Sequence, residues 1–123
     1  MEDGHRLYVA VVDDDDAVRD SLCFLLEAAG CDVLTFASAA EFFARAEHAD
    51  IACLLVDQHM PQMTGLELAA KVRETQPGLP MALMTGSPSP ELTRRAFELG
   101  VTEMLEKPLQ EQGLLAFVQA ALG

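Results

Sequence analysis

Basic residues are scarce in this 123-residue chain. Eight Lys and Arg residues stand against twenty Asp and Glu residues, giving a formal net charge of −12 at pH 7. Binding to nucleic acid depends largely on Lys and Arg side chains that neutralise phosphates. The charge balance therefore argues against a broad nucleic-acid-binding face, and we expect no direct contact between this chain and nucleic acid.

Long apolar runs are absent, and cysteines are few. The longest apolar run, residues 51–56, is far shorter than the ~18 residues of a membrane span. The first six residues are polar and acidic, unlike a secretory signal. Three cysteines without metal-like spacing indicate reduced thiols, and Cys53 is expected to lie in the core. These features predict a cytoplasmic protein without membrane contact.

Length and composition predict a single folded domain. Half of the residues are hydrophobic and 23% are charged, which is enough apolar material for a core. The sequence contains no repeat, no low-complexity tract and no long linker. We predict a short tail over residues 1–6 and one domain over residues 7–123, with His5 and His48 facing solvent.

Short apolar runs alternate with longer amphipathic segments five times along the chain. Strands are predicted at residues 7–12, 32–36, 51–56, 80–84 and 103–106. Helices are predicted at residues 17–29, from Ala39, from Thr64 to a turn at Pro77, at 90–99 and at 110–122. The (βα)5 alternation and the fully apolar third strand predict an α/β fold. Its five-stranded parallel sheet is doubly wound, with helices on both faces.

Polar residues mark where several helices begin. Ser38 and Thr64, each followed three residues later by Glu, have the spacing of capping boxes. Asp15 or Asp16 is expected to cap the first helix, whose positive end favours acidic residues.

Polar side chains follow four of the predicted strands. Asp13 and Asp14 follow the first strand, Asp57 the third, Thr85 the fourth and Lys107 the fifth. Parallel strands end at the same edge of a sheet, and ligands bind at that edge in folds of this kind. We therefore expect three carboxylates, one hydroxyl and one ammonium to meet at a single shallow site.

The expected site has the composition of a phosphoryl-transfer centre. Three carboxylates repel each other, and a divalent cation relieves that repulsion. Oxygen ligands favour Mg2+, with Mn2+ as an alternative. An Asp57 carboxylate beside a metal ion and Lys107 suits phosphoryl transfer to aspartate, because both cations absorb charge on the phosphoryl oxygens.

The site residues belong to four short motifs. They are Val11-Val12-Asp13-Asp14, Asp57 with Met60-Pro61 and Gly65, Thr85-Gly86, and Lys107-Pro108. With these motifs in this order, the chain from Leu7 onward resembles a response-regulator receiver domain of two-component signalling. It is similar in outline to the chemotaxis response regulator and resembles more closely the receivers of nitrogen-fixation transcriptional regulators. The resemblance implies a CheY-like, flavodoxin-like sheet with strand order 2-1-3-4-5.

The resemblance implies a role for each acidic residue. Asp57 would be the phosphoacceptor, taking a phosphoryl group from a sensor histidine kinase or a phosphotransfer protein. Asp14 would bind Mg2+ directly and Asp13 mainly through water. Asp57 and the backbone carbonyl of His59 would be further metal ligands.

The remaining motif residues would act on the phosphoryl group itself. Thr85 would move to hydrogen-bond a phosphoryl oxygen, Lys107 would pair with it, and the Lys107–Pro108 peptide bond would be cis. The domain would then catalyse only its own phosphorylation and dephosphorylation, and would not be an enzyme acting on a separate substrate.

Three positions depart from the family pattern or vary within it. Met104 occupies a switch position that usually holds Tyr or Phe, and a flexible methionine can fill the same gap without offering a hydroxyl. His59 and Ser87, two residues after Asp57 and Thr85, are expected to tune the lifetime of the phosphoryl group. The His59 side chain is interpreted as a loop residue rather than a metal ligand.

The resemblance also implies an output. Phosphorylation would change the face formed by the fourth helix, the fifth strand and the fifth helix, through which a homodimer could form. Transcription regulation through a C-terminal DNA-binding domain is the favoured output. A stand-alone regulator or phosphate shuttle is the alternative.

Two functions of other classes stay open from the residues alone. A haloacid-dehalogenase-type phosphatase would use Asp13 as nucleophile with Asp15 two residues later, but would leave Asp57 without a role. A flavodoxin-like cofactor binder would share the topology, but four consecutive aspartates after the first strand would repel a flavin phosphate.

Overall fold

The computed structural model describes residues 6–46 and 50–123, in which strands and helices alternate. The strands are β1 (Tyr8–Val12), β2 (Asp32–Phe36), β3 (Ile51–Asp57), β4 (Met81–Thr85) and β5 (Glu103–Glu106). The helices are α1 (Asp16–Ala28), α2 (Ala39–Arg45), α3 (Gly65–Thr75), α4 (Pro90–Glu98) and α5 (Glu111–Leu122). This order confirms the predicted (βα)5 alternation, with several boundaries moved by one residue.

The five strands form a parallel sheet in the order β2-β1-β3-β4-β5. This confirms the fold class and the strand order that the resemblance implied. The chain first adds β2 on one side of β1 and then returns to add β3 on the other side. The carboxyl ends of β1 and β3 therefore flank the topological switch point, where ligands bind in open parallel sheets.

The sheet separates two apolar layers. Side chains alternate between the two faces of a strand, so Val9 and Val11 face one layer while Ala10 and Val12 face the other. The layer beneath α1 and α5 includes Leu22, Leu26, Leu114 and Val118. The layer beneath α2, α3 and α4 includes Phe42, Leu66, Ala69 and Ala96. Burial on both faces explains why the central strand β3 is apolar along most of its length.

Cys53 lies in β3 and is fully buried in the layer beneath α1 and α5, which confirms its predicted place in the core. Burial raises the pKa of its thiol to about 12, so this cysteine stays protonated at neutral pH. Cys23 and Cys31 are also free thiols.

Side-chain caps fix the start of α1, α2, α3 and α4, the last through Ser89, whose Oγ accepts the N–H of Leu92. Of the two predicted candidates, Asp15 caps α1, because its Oδ1 accepts the N–H groups two and three residues further on. Thr64 and Glu67 form the full capping box expected at α3. Ser38 accepts the N–H of Glu41, but the Glu41 carboxylate bonds to the N–H of the residue before Ser38 instead of completing the box.

Some predictions fall outside the described residues. The predicted tail is among them except for Arg6, and so are His5 and His48. Within residues 6–46 and 50–123, no helix is both long and apolar enough to cross a bilayer.

Candidate functional site

The predicted site residues lie at the carboxyl-terminal edge of the sheet. Asp13 follows β1 directly, Asp57 and Thr85 are the last residues of β3 and β4, and Lys107 follows β5. The strands are parallel and paired in register, so these positions face the same edge. The topology thus brings together residues that are far apart in the sequence.

Three carboxylates form a cluster at this edge. One carboxylate oxygen each from Asp13, Asp14 and Asp57 lie within 4.8 Å of one another. Asp13 and Asp57 are 0% and 4% exposed, whereas Asp14 is exposed. The cluster therefore has two buried carboxylates and one that is open to solvent.

Lys107 bridges the two buried carboxylates. Its Nζ lies 3.0 Å from Asp13 Oδ2 and 3.1 Å from Asp57 Oδ1. The side chain is 25% exposed, so the ammonium meets the carboxylates at the boundary of the buried region. One cation shared between two buried anions partly neutralises them and leaves the cluster with net negative charge.

Burial and neighbouring charges change the pKa values of Asp57 and Lys107. Burial raises the pKa of Asp57, and the nearby Asp13 charge adds to the rise, while Lys107 and the backbone N–H of His59 oppose it. Partial burial acts to lower the pKa of Lys107, but its bonds to Asp13 and Asp57 outweigh that effect and leave the pKa raised. Lys107 therefore stays charged at neutral pH, and Asp57 is a more basic carboxylate than an exposed one.

The donor set fits a hard divalent cation. Mg2+ and Mn2+ prefer carboxylate, carbonyl and water oxygens, and the three clustered carboxylates supply the first of these. Lys107 contacts one oxygen of Asp13 and one of Asp57; the second Asp13 oxygen accepts the N–H of Asp15 at 2.9 Å, and a carboxylate oxygen has a further lone pair for a metal ion. The residues present thus suit the ion predicted from the sequence.

Thr85 brings a hydroxyl to the same edge. Thr85 is 1% exposed, and its Oγ1 accepts the backbone N–H of Ser87 at 3.0 Å. The imidazole Nε2 of His59 lies 3.3 Å from the same oxygen. His59 and Ser87, both predicted as tuning positions, therefore contact Thr85 directly, one through its ring and the other through its backbone.

The loop after β3 is tied closely to the sheet. The N–H of Gln58 donates to the Met84 carbonyl at 2.9 Å, and its side-chain Oε1 accepts the N–H of Leu66 at 2.9 Å. Gly65, the first residue of α3, packs so tightly that a Cβ would lie 2.6 Å from the Asp57 carbonyl oxygen. This packing explains the glycine of the second motif and holds the backbone at Asp57 and Gln58 in place.

Arg19 is a site residue that the sequence analysis missed. Its Nη1 donates to the backbone carbonyl of Asp13 at 2.6 Å, and its Nη2 pairs with Asp16. The side chain is only 17% exposed, so it holds the acidic loop against α1. The signal was its place three residues after Asp16 in the first helix, where an Arg faces back toward the loop.

Met104, the predicted switch position, lies in β5 opposite Leu83 of β4. It is partly buried and packs against the layer beneath α2, α3 and α4. The Lys107–Pro108 peptide bond is cis, as the resemblance implied.

Comparison with known protein families agrees with this geometry. The model of the response regulator receiver domain family matches residues 9–119. The transcriptional regulatory protein FixJ of Azorhizobium caulinodans is 40% identical over 117 residues, covering 95% of this chain and 56% of FixJ. The response regulator protein TodT of Pseudomonas putida F1 is 30% identical over 114 residues, covering 93% of this chain and 50% of TodT. This chain therefore spans about half the length of these curated relatives.

Solved structures of a chemotaxis protein and of FixJ-N have the same architecture as this chain. The chemotaxis protein CheY4 of Vibrio cholerae superposes with a TM-score of 0.88 at 31% identity, covering 94% of this chain and 98% of CheY4. The crystal structure of FixJ-N superposes with a TM-score of 0.83 at 30% identity, covering 98% of this chain and 94% of FixJ-N.

Proposed function

This chain belongs to the response regulator receiver domain family of two-component signalling, and we propose that it accepts a phosphoryl group on Asp57. The observation that carries the proposal is the position of Asp57. Its nearly buried carboxylate lies 3.1 Å from the Lys107 ammonium and within a cluster of two further carboxylates at the topological switch point.

Asp57 is suited to act as the nucleophile. A carboxylate oxygen forms a bond to phosphorus while the phosphorus–nitrogen bond of a donor phosphohistidine breaks, and the departing imidazole takes up a proton from solvent. Burial raises the pKa of Asp57, and a less solvated carboxylate is a better nucleophile. The Lys107 ammonium, already in contact with Asp57, balances charge on the transferring oxygens.

Asp13, Asp14, Asp57 and the backbone carbonyl of His59 would hold Mg2+, with Mn2+ as the alternative ion. When bound, the ion supplies positive charge that stabilises the phosphoryl oxygens. Arg19 supports this function by fixing the backbone of the Asp13 loop. The same set of residues would govern phosphorylation and loss of the phosphoryl group, without a separate substrate.

Receiver domains interact with histidine kinases or phosphotransfer proteins, and we propose such a protein as the phosphoryl donor. An open groove of about 720 Å3 lies between α1 and the start of α5 and is lined by both Asp15 and Lys107. Val18, Leu22 and Leu114 give the groove an apolar lining next to Asp57's partner Lys107, which suits docking of a donor helix. This exchange would take place in the cytoplasm, where the free thiols stay reduced.

We propose transcription regulation as the output, since the relatives include a transcriptional regulatory protein of about twice this length. The face formed by α4, β5 and α5, with Met104 beneath it, would change on phosphorylation and form a homodimer. DNA would be contacted by another domain, because this one carries twelve excess negative charges. A reading frame that stops after Gly123 would instead favour a stand-alone phosphate shuttle.

Labelling with acetyl phosphate and Mg2+ tests the proposal. The wild-type protein should gain about 80 Da, one phosphoryl group, by intact-mass measurement. Asp57→Asn should abolish the gain, whereas the exposed control Asp20→Asn should retain it. Undiminished labelling of Asp57→Asn would refute the assignment of the phosphoacceptor.

The geometry disfavours the phosphatase alternative. Asp15, which would have to act on the leaving group, already uses its carboxylate to cap α1. The Asp13 carboxylate is fully buried and bonded to Lys107. Hydrolysis of p-nitrophenyl phosphate that survives Asp57→Asn but not Asp13→Asn would revive this alternative.

A further inference from the structure

The Thr85 hydroxyl is engaged from two sides at the end of β4. The backbone N–H of Ser87 donates to Oγ1 at 3.0 Å, and His59 Nε2 lies 3.3 Å from the same atom. The first contact comes from the loop after β4 and the second from the loop after β3. Because Thr85 is nearly fully buried, these contacts define the position of its hydroxyl.

The imidazole of His59 is carried by a backbone that is itself held in place. The preceding residue, Gln58, is bonded through its N–H to β4 and through its side chain to the start of α3. The backbone N–H of His59 faces the Asp57 carboxylate and acts to lower its pKa. One short segment therefore contacts both the proposed phosphoacceptor and the hydroxyl expected to respond to it.

We infer that His59 is a positioning residue: its imidazole holds the Thr85 hydroxyl and competes for it with a phosphoryl group on Asp57. The inference rests on the proposed function, since the competitor exists only once Asp57 is phosphorylated. Phosphoryl oxygens accept hydrogen bonds and donate none, and a threonine hydroxyl has a single proton to give.

The competition holds for either imidazole tautomer. Where Nε2 carries no proton, Thr85 donates to His59 and cannot donate to a phosphoryl oxygen at the same time. Where Nε2 carries a proton, His59 donates to Oγ1, and movement of Thr85 toward Asp57 breaks that bond. In both cases His59 stabilises the unphosphorylated arrangement of Thr85.

Two amide variants separate the hydrogen bond from the mere presence of a polar side chain. In His59→Gln the amide group lies about as far from the backbone as Nε2, so the contact with Thr85 can be kept. In the matched control His59→Asn the amide lies about where Nδ1 does and falls short. Loss of one hydrogen bond of this kind should shift the equilibrium between the two positions of the Thr85 hydroxyl about twofold to tenfold.

The first measurement uses the metal-free, unphosphorylated protein. Three-bond NMR couplings to the Thr85 γ-carbon report its χ1 angle. Wild type and His59→Gln should show one rotamer, and His59→Asn should show averaging. The second measurement is the affinity for beryllofluoride, a phosphoryl mimic, in the presence of Mg2+, followed through the Ser87 amide resonance. Binding to His59→Asn should be about twofold to tenfold tighter than to wild type, with His59→Gln close to wild type.

The outcomes distinguish this inference from the proposed function. Unchanged beryllofluoride affinity in His59→Asn, or the same change in His59→Gln as in His59→Asn, overturns the inference. Wild-type protein that binds no beryllofluoride contradicts the proposed function. In that case the metal-free couplings still decide whether His59 holds Thr85, and a Thr85 rotamer unaffected in His59→Asn overturns the contact itself.

Discussion

Gly65→Ala tests whether the packing behind Asp57 is as tight as the structure shows. The added Cβ would lie 2.6 Å from the Asp57 carbonyl oxygen, 2.6 Å from Leu83 Cδ1 and 3.0 Å from Gln58 Cα. Contacts of a Cβ are rarely below 3.4 Å, so about 0.8 Å must be gained at the two shortest contacts. The Leu83 methyl can rotate away, but the Asp57 carbonyl belongs to a strand that is paired with β4.

The expected cost follows from which atom must move. Inserting a methyl group into a packed core costs about 1–3 kcal/mol, and a backbone obstacle favours the upper half of that range. Gly65 is the first residue of α3, and at this position the higher helix propensity of alanine adds little stability. We therefore expect the free energy of unfolding to fall by about 2–3 kcal/mol.

Urea unfolding followed by far-ultraviolet circular dichroism measures this change. With a slope of about 1–3 kcal/mol per M, the midpoint should fall by roughly 0.7–3 M. Gly113→Ala is the matched control, because its Cβ would meet only Leu105 Cδ2 at an ordinary 3.8 Å within helix α5. That variant should gain about 0.5–1 kcal/mol from alanine's helix propensity. A loss below about 0.5 kcal/mol for Gly65→Ala would refute the packing argument.

Two further predictions concern charge. Burial raises the pKa of Asp57 in the folded protein above its ordinary value of 3.8. Ionisation of Asp57 therefore lowers the stability of the fold. The loss is absent below pH 3.8 and complete above the pKa of the folded state. Metal-free Asp57→Asn should therefore gain stability over wild type as pH rises from about 4 to 7.5, and a pH-independent difference in urea titrations would contradict this. Arg19→Ala leaves the Asp13 carbonyl without its Arg partner and should cost about 1–3 kcal/mol in thermal or urea unfolding. The control Arg94→Ala removes a 60% exposed side chain and should cost about 0–1 kcal/mol. Equal losses of stability in the two variants would contradict a specific role of Arg19 in holding the Asp13 loop.

Local patterns in the sequence were enough to predict most of the architecture. The apolar run that became β3 indicated burial on both faces, and the spacing of Ser38 and Thr64 from Glu residues marked two helix starts. Positive-φ glycines end α1 and α4 at Gly30 and Gly100, where the apolar periodicity stops. These features are short-range properties of the backbone and side chains, and they therefore appear in the sequence itself.

The sequence also predicted which residues would share an edge, because parallel strands end together. It could not supply the contacts between them. Lys107 bonds to Asp13 across 94 positions of sequence, and the His59 contact with Thr85 joins two different loops.

The sequence by itself thus determined the order of strands and helices, the helix caps and the residue types gathered at the sheet edge. Tertiary structure alone decided that Lys107 spans two buried carboxylates, that Arg19 holds the Asp13 loop and that His59 contacts the Thr85 hydroxyl. The physical reason is that hydrogen bonds depend on separations of a few tenths of an ångström. Such separations are set by sheet twist and by packing of helices that are remote in sequence, whereas hydrophobic period and capping act within a few residues.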